Sequence, residues 1–213
     1  MANTLLYLVR HAATAANLVT PARLQGRADP PLAPVGVRQA EATRDLLASH
    51  SIHACYCSPL LRAVETAAII AAPQRLTPIP IAELTECDVG DWEGLDWDTI
   101  RGRDPEMYRR YMADPAAVPY PSGESFADVH ARAAPALDRL IADHPSQTLL
   151  VVSHHVVNRT YLASLFGLPM RLARNVTLDN CGVSVVTSEA GRATVTTLNA
   201  VFHLPVPEPN TPA

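Results

Sequence analysis

Lysine is absent from this chain: all 17 of its basic side chains are arginine. That excludes Schiff-base chemistry on an ε-amine and a Walker-type phosphate loop, both of which need lysine. A compositional bias toward Arg and Ala accounts for the count, and the exclusion stands regardless. Aromatic residues make up only 5%, and no apolar run approaches the ~18 residues of a membrane-spanning helix. The N-terminus lacks the basic flank and long apolar core of a secretory signal, so a cytoplasmic location is expected. Cysteine is sparse as well. Cys55, Cys57, Cys87 and Cys181 do not make a disulfide framework in 213 residues, and a lone Cys-x-Cys is half a zinc ligand set. Small buried residues are the plain reading of all four. A net charge of -4 gives no electrostatic basis for binding nucleic acid.

What is present is a hydrophobic fraction of 48%, enough for the core of one α/β domain. Leu5-Leu6-Tyr7-Leu8-Val9 reads as a short strand buried on both faces. It ends abruptly at Arg10-His11, two side chains that are costly to bury without partners. Thr148 to Ser153 forms a second such run and ends at His154-His155. Two buried strands that both deliver imidazoles to their carboxyl ends predict a site there, where open α/β sheets bind ligands. His154 and His155 are adjacent and point apart, which argues against a shared metal ion.

Between these strands the chain divides into recognisable pieces. Leu18 to Pro34 is a Pro-rich loop carrying Arg23, Gln25, Gly26 and Arg27, with both arginines candidates to face a ligand. Pro34 to Ser49 predicts an amphipathic helix and Ile52 to Cys57 a second strand. Ser58-Pro59 predicts a capped helix start that places Arg62 in the first turn, a sensible anion site. Leu76 to Ile81 reads as an edge strand. The loop Glu83 to Gly94 holds the acids Glu83, Glu86, Asp88 and Glu93. Two helical stretches follow, Asp96 to Met112 with a break at Asp104-Pro105, and Glu124 to Asp143. Residues 87–142 are read as a helical cap inserted beside the sheet. Strands from Gly182 and Ala193 close a single domain over residues 1–202. Residues 203–213, with four prolines, predict a tail on the surface or disordered.

The motifs, taken in order, resemble the histidine phosphatase superfamily, the phosphoglycerate mutase-like enzymes. Val9-Arg10-His11 with Thr14 and Asn17 is similar to that family's first signature. Leu24-Gln25-Gly26, Ser58-Pro59-Leu60 with Arg62, Leu84-x-Glu86 with Gly90-x-Trp92-Glu93-Gly94, Gly123-Glu124-Ser125, and Val152-Ser153-His154 follow in the family's sequence. The resemblance implies a three-layer α/β/α fold with a mostly parallel sheet, and phosphoryl transfer through a covalent phosphohistidine. It implies His11 as nucleophile, Arg10, Arg62 and His154 as the charge clamp, and Glu86 as general acid and base. Chemistry alone does not separate the four acids; Glu86 matches the family position, with Glu83 the runner-up.

Asn17, Gln25, Gly26, Arg23 and His155 are the implied substrate contacts. No metal or other cofactor is implied. The expected partner is a small phosphorylated metabolite, with no nucleic acid or membrane, and a homodimer is left open. The chain departs from the family at Ala12 and Ala13, where Gly and Glu are usual, and at His155, where Gly is common. The expected activity is phosphomonoester hydrolysis. The shortness of the stretch between Glu86 and His154 favours it over a cofactor-dependent mutase, and the full residue set favours it over a non-catalytic phosphate-binding module. Arg101, Arg103, Tyr108, Arg109, Arg110 and Tyr111 of the cap are candidates to meet an acidic or sugar-bearing leaving group, with a solvated helix face the expected role of most of them.

Overall fold

The computed structural model describes residues 3–205. Its sheet is built from β1 (Thr4–Arg10), β2 (Ala54–Cys57), β3 (Ile79–Pro80), β4 (Thr148–Ser153), β5 (Val183–Glu189) and β6 (Arg192–Ala200), in the order β3-β2-β4-β1-β5-β6. Strands β1 to β4 are parallel, β5 runs against β1, and β6 runs against β5. The helices are α1 (Ala15–Leu18), α2 (Pro34–Leu47), α3 (Leu61–Ala71), α4 (Trp97–Arg103), α5 (Pro105–Ala113), α6 (Phe126–Asp143) and α7 (His155–Leu165). Among the described residues, no helix is long and apolar enough to cross a membrane.

The continuous apolar runs of β1 and β4 exist because both faces are covered. Leu6, Leu8, Leu149 and Val151 pack with α6 and α7, while Tyr7, Val9, Leu150 and Val152 pack with Leu47 of α2 and Ala63, Ala67 and Ile70 of α3. This alternation is the period-2 geometry of a strand sorting one sequence into two cores. Each fully buried Leu or Val contributes roughly 1.5–3 kcal/mol, so both faces hold β1 centrally.

The region of residues 87–142 has two structural parts. Helix α6 belongs to the layer beside β1 and α7, and its Val129, Ala133 and Leu137 sit in that core. The cap proper is α4, α5 and their loops, so the expected insertion is too long at its C-terminal end. The chain's few aromatics concentrate here. Trp92 packs edge-on against Trp97, Tyr111 and Tyr120, and the Tyr111 and Tyr120 rings lie 4.5 Å apart. Asp104 caps α5 by accepting from Met107 N at 3.0 Å, with Pro105 in the first turn, so the break falls where Asp-Pro predicts it.

The tail expectation is corrected at its start. His203 Nε2 meets Thr43 Oγ1 of α2 at 3.0 Å, and Leu204 packs on the small cluster of Ala12, Ala40 and Cys181. Residues 206–213 lie outside the described residues.

Helix α2 also closes tightly on the loop after β1. A Cβ at Gly36 would sit 2.1 Å from the Ala13 carbonyl oxygen, which already accepts from Ala33 N at 2.9 Å. Gly36→Ala is therefore expected to lower unfolding stability by about 1–3 kcal/mol, as overpacked sites do. Urea denaturation measures it, and an unchanged midpoint would show that the loop moves aside freely.

Candidate active site

The register Arg10 to Ser153 across β1 and β4 brings His11 and His154 together beyond the strand ends. Their ring centroids are 5.1 Å apart. The strand alternation decides what each neighbour meets. Arg10, in step with Leu6 and Leu8, reaches the α7 side, where its Nη1 donates to Leu178 O at 2.7 Å. His11, in step with Tyr7 and Val9, meets Arg62 from α3.

The His11 ring is held in one sense. Its Nδ1 lies 2.8 Å from its neighbour's carbonyl, Ala12 O, which requires the proton on Nδ1. Nε2 is then a lone-pair acceptor, and Arg62 Nε donates to it at 3.3 Å. Arg62 is fully buried. Its Nη1 donates to Ala28 O at 2.7 Å and its Nη2 to Gly26 O at 2.8 Å. Those carbonyls are fixed in turn by Glu93, which accepts from the backbone N–H groups of Gly26, Arg27 and Ala28. Glu93 is thus structural, and its role is to aim the guanidinium.

His154 is wholly buried. Its Nε2 pairs with Ser58 Oγ at 2.7 Å, and its Nδ1 has no partner among the described residues. With the Ser58 hydroxyl donating, Nδ1 carries the proton and is left to donate to an oxygen ligand. Ser58 does not cap α3, as the sequence predicts; that helix starts at Leu61, and the hydroxyl serves His154 instead. Glu86 is buried at the cap interface, where its carboxylate accepts from Cys87 N at 2.8 Å and from Val156 N at 3.3 Å. Glu83, the runner-up acid, faces Arg139 at 3.6 Å, away from the site.

His11 and Glu86 open on a cleft of about 590 Å³ that is also lined by Arg10, Asn17, Arg23, Gln25 and His155; Arg62 and His154, both wholly buried, contact the residues at its edge and do not line it. Asn17 accepts from Thr14, and Gln25 Oε1 accepts from Thr14 Oγ1 at 2.8 Å, which leaves the buried Gln25 Nε2 unpartnered among the described residues. Asn180, across the cleft, donates to His11 O at 2.8 Å. Gly26 is a correction. Its N–H is taken by Glu93 and its carbonyl by Arg62, so it holds the clamp and does not face a substrate. Arg27 turns away to Asp88 and Glu124. The exposed cap arginines stand outside the cleft, with Arg101 paired to Asp98 and Arg109 to Glu106. From the cap it is Trp97, Asp98 and Tyr120 that line the cleft.

Ala12 and Ala13 are accommodated by their own contacts. Ala12 N donates to Thr66 Oγ1 and Ala13 N to Gln39 Oε1, both at 3.0 Å. Neither residue takes a left-handed backbone, so glycine's freedom is not needed at either position. Besides the cap residues, two cleft arginines were not anticipated, Arg159 and Arg174. Arg159 stands four residues after His155 on α7, a spacing that puts both on one helical face and could have revealed it. Arg174 comes from a 3₁₀ turn, Met170–Asn175, with no sequence signal to tie it to the site.

Burial, together with the neighbouring Arg10 and Arg62 charges, holds His11 and His154 far below the usual imidazole value of 6.5. Burial together with Arg10 and Arg159 does the same to His155. The Arg10 guanidinium is itself pushed down to about 10 by burial, against the pull of Glu86. A linked stability effect follows. The folded state keeps these histidines neutral while the unfolded chain protonates them near 6.5, so the unfolded state binds more protons below that value. Stability is expected to be fully present above pH 6.5 and to fall below it, by up to about 1.4 kcal/mol per pH unit per histidine. Denaturant midpoints at pH 7.5 and about pH 5.5 check this; equal values would contradict it.

The comparisons agree with this geometry. The family described as the histidine phosphatase superfamily (branch 1) matches residues 6–201. Phosphoserine phosphatase 1 of Hydrogenobacter thermophilus is 34% identical over 199 residues, covering 93% of each chain. The structure of Bacillus stearothermophilus YhfR superposes with a TM-score of 0.88 at 30% identity, covering 95% of this chain and 100% of that one. An Entamoeba histolytica phosphoserine phosphatase, solved in complex with 3-phosphoglyceric acid, superposes with a TM-score of 0.85 at 27% identity, covering 94% of this chain and 99% of that one. A paired-histidine cleft at the carboxyl ends of β1 and β4, on a sheet these proteins share, has one reading: the chain belongs to branch 1 of the histidine phosphatase superfamily.

Proposed function

We propose that this phosphatase hydrolyses small phosphomonoesters in two displacements, with His11 carrying the phosphoryl group between them. In the first, the Nε2 lone pair attacks phosphorus, the P–O ester bond breaks, and Glu86 gives its proton to the departing alkoxide. In the second, water attacks the phosphohistidine while Glu86 takes its proton. The P–N bond breaks, releasing inorganic phosphate and neutral His11. Arg10, Arg62 and the Nδ1–H of His154 receive the non-bridging oxygens, where fixed donors act strongly because they need no reorganisation.

The observation that carries the reading is the His11 ring itself. Its proton is tied to Ala12 O, and its lone pair faces a buried guanidinium. A phosphoserine phosphatase and a 3-phosphoglyceric acid complex among the relatives support small phosphorylated metabolites as substrates.

Rapid quench with a labelled phosphomonoester tests it. The expected result is an acid-labile, alkali-stable phosphoenzyme formed before phosphate release, with turnover unaffected by chelators. Hydrolysis that requires an added divalent metal would overturn it. Interconversion of 3-phosphoglycerate faster than hydrolysis of any ester would replace the phosphatase by a mutase.

A further inference from the structure

We infer that Arg159, oriented by His155, is a subsite for a carboxylate on the leaving group, so that the preferred phosphomonoesters carry a carboxylate beyond the ester oxygen. The inference rests on the phosphatase reading and specifies its substrate class.

The cleft holds more cation than one phosphate uses. Arg10 and Arg62 flank His11, yet Arg159, Arg174 and Arg23 line the cleft as well. Among the described residues, Arg10, Arg159 and Arg174 have no ion-pair partner. The helix sets the order of these groups. His154 precedes α7, His155 is its first residue, and Arg159 lies one turn further, about 6 Å along the axis. Val156 N, between them, holds the Glu86 carboxylate. Phosphate clamp, general acid and Arg159 therefore follow one another along one wall. A leaving group protonated by Glu86 extends toward Arg159.

Arg159 is built to receive an anion. Its Nη2 donates to His155 Nε2, and its face lies over the Phe126 ring, 5.9 Å from the centroid. These two contacts fix the plane of the guanidinium. Its buried Nε has no partner among the described residues, so the Nε side of the fork remains open. Arg174 comes from the 3₁₀ turn packed against α7, with its two Nη atoms committed to Met112 O and Met112 Sδ. It contributes charge more than hydrogen bonds. One open fork suits a monoanion. A second phosphate dianion would also face Glu86 and Asp98, which line the same cleft.

Paired probes that differ only at the carboxylate test the subsite: 3-phosphoglycerate and glycerol 3-phosphate. The expected wild-type preference for 3-phosphoglycerate is about 10- to 100-fold, in kcat/KM and in calorimetric binding alike. Arg159→Gln should erase most of it by acting on 3-phosphoglycerate alone. Arg174→Gln, on the neighbouring 3₁₀ turn, should erase part of it, and it keeps the test open if the first variant fails to fold. Equal wild-type affinities, or variants that weaken both probes in proportion, would overturn the subsite. If no ester is turned over but the calorimetric preference holds, the proposed reaction falls and the subsite stands.

Discussion

His11→Ala is expected to lower kcat for p-nitrophenyl phosphate by at least about 10⁴-fold and to abolish the trapped phosphoenzyme. The size follows from what the substitution removes and what it leaves. It removes the atom that forms the P–N bond in the proposed reaction, the Nε2 faced by Arg62 at 3.3 Å. It leaves Arg10, Arg62 and His154, so phosphate can still be bound and polarised. Residual hydrolysis then depends on direct attack by water. The fold should survive, because His11 joins the sheet through its backbone, with its N–H donating to Ser153 O at 2.8 Å. The diagnostic pattern is a collapse of kcat with vanadate or phosphate binding retained. More than about one per cent of wild-type turnover would remove His11 from the chemistry.

Arg62→Met is the second large effect. Losing a fixed donor to a developing charge typically costs about 10²–10³-fold in kcat. Arg62 also aligns the nucleophile, so a loss of about 10³-fold in kcat/KM is expected. Stability should fall too. The buried Gly26 carbonyl loses its donor at 2.8 Å, worth roughly 1–3 kcal/mol when left unmet, while Ala28, whose carbonyl loses a donor at 2.7 Å, is exposed and can turn to water. Removing a charge from a fully buried position offsets part of this, so a net fall of about 1 kcal/mol is expected. Arg62→Lys separates charge from geometry. An ammonium restores a point charge but cannot bridge His11, Gly26 and Ala28 at once, so rescue should be less than about 10-fold. Full rescue by lysine would mean that the fork geometry is irrelevant.

How much of this was legible beforehand depended on the kind of signal. Strands β1 and β4 were readable because burial on both faces forces an unbroken apolar run, and the run's abrupt end at Arg10-His11 or His154 exposes the site. Arg62 was readable because the strand-to-helix turn is short enough to place it by counting. The acid was not separable from its neighbours by chemistry. Glu86 differs from Glu83 only in pointing inward, a matter of backbone geometry in a loop with no period. Ser58 was misassigned for a related reason: one hydroxyl can cap a helix or bond an imidazole, and the competing partner is 96 residues away. Gly26 reads as a ligand contact on the family resemblance of Leu24-Gln25-Gly26, yet both its backbone groups are spent on Glu93 and Arg62. The cap arginines, most of them expected on a solvated face, could not be sorted one by one because solvated and ligand-facing arginines look identical in composition. The cap's cleft residues, Trp97, Asp98 and Tyr120, are set by the aromatic packing around Trp92.

The position of β1 has a consequence for the chain during its own synthesis. This early strand has its two sheet neighbours, β4 and β5, more than 130 residues downstream, in the register Leu6 to Leu149 and Leu6 to Val186. Until both have left the ribosome, its apolar residues have no sheet to join, and the nucleophile loop lacks Leu178, Asn180 and Leu204 to brace it. Such pairings close late and slowly. A nascent chain paused short of residue 150 thus carries a complete Arg10-His11 pair with no catalytic geometry, and activity begins only when the two ends of the domain meet.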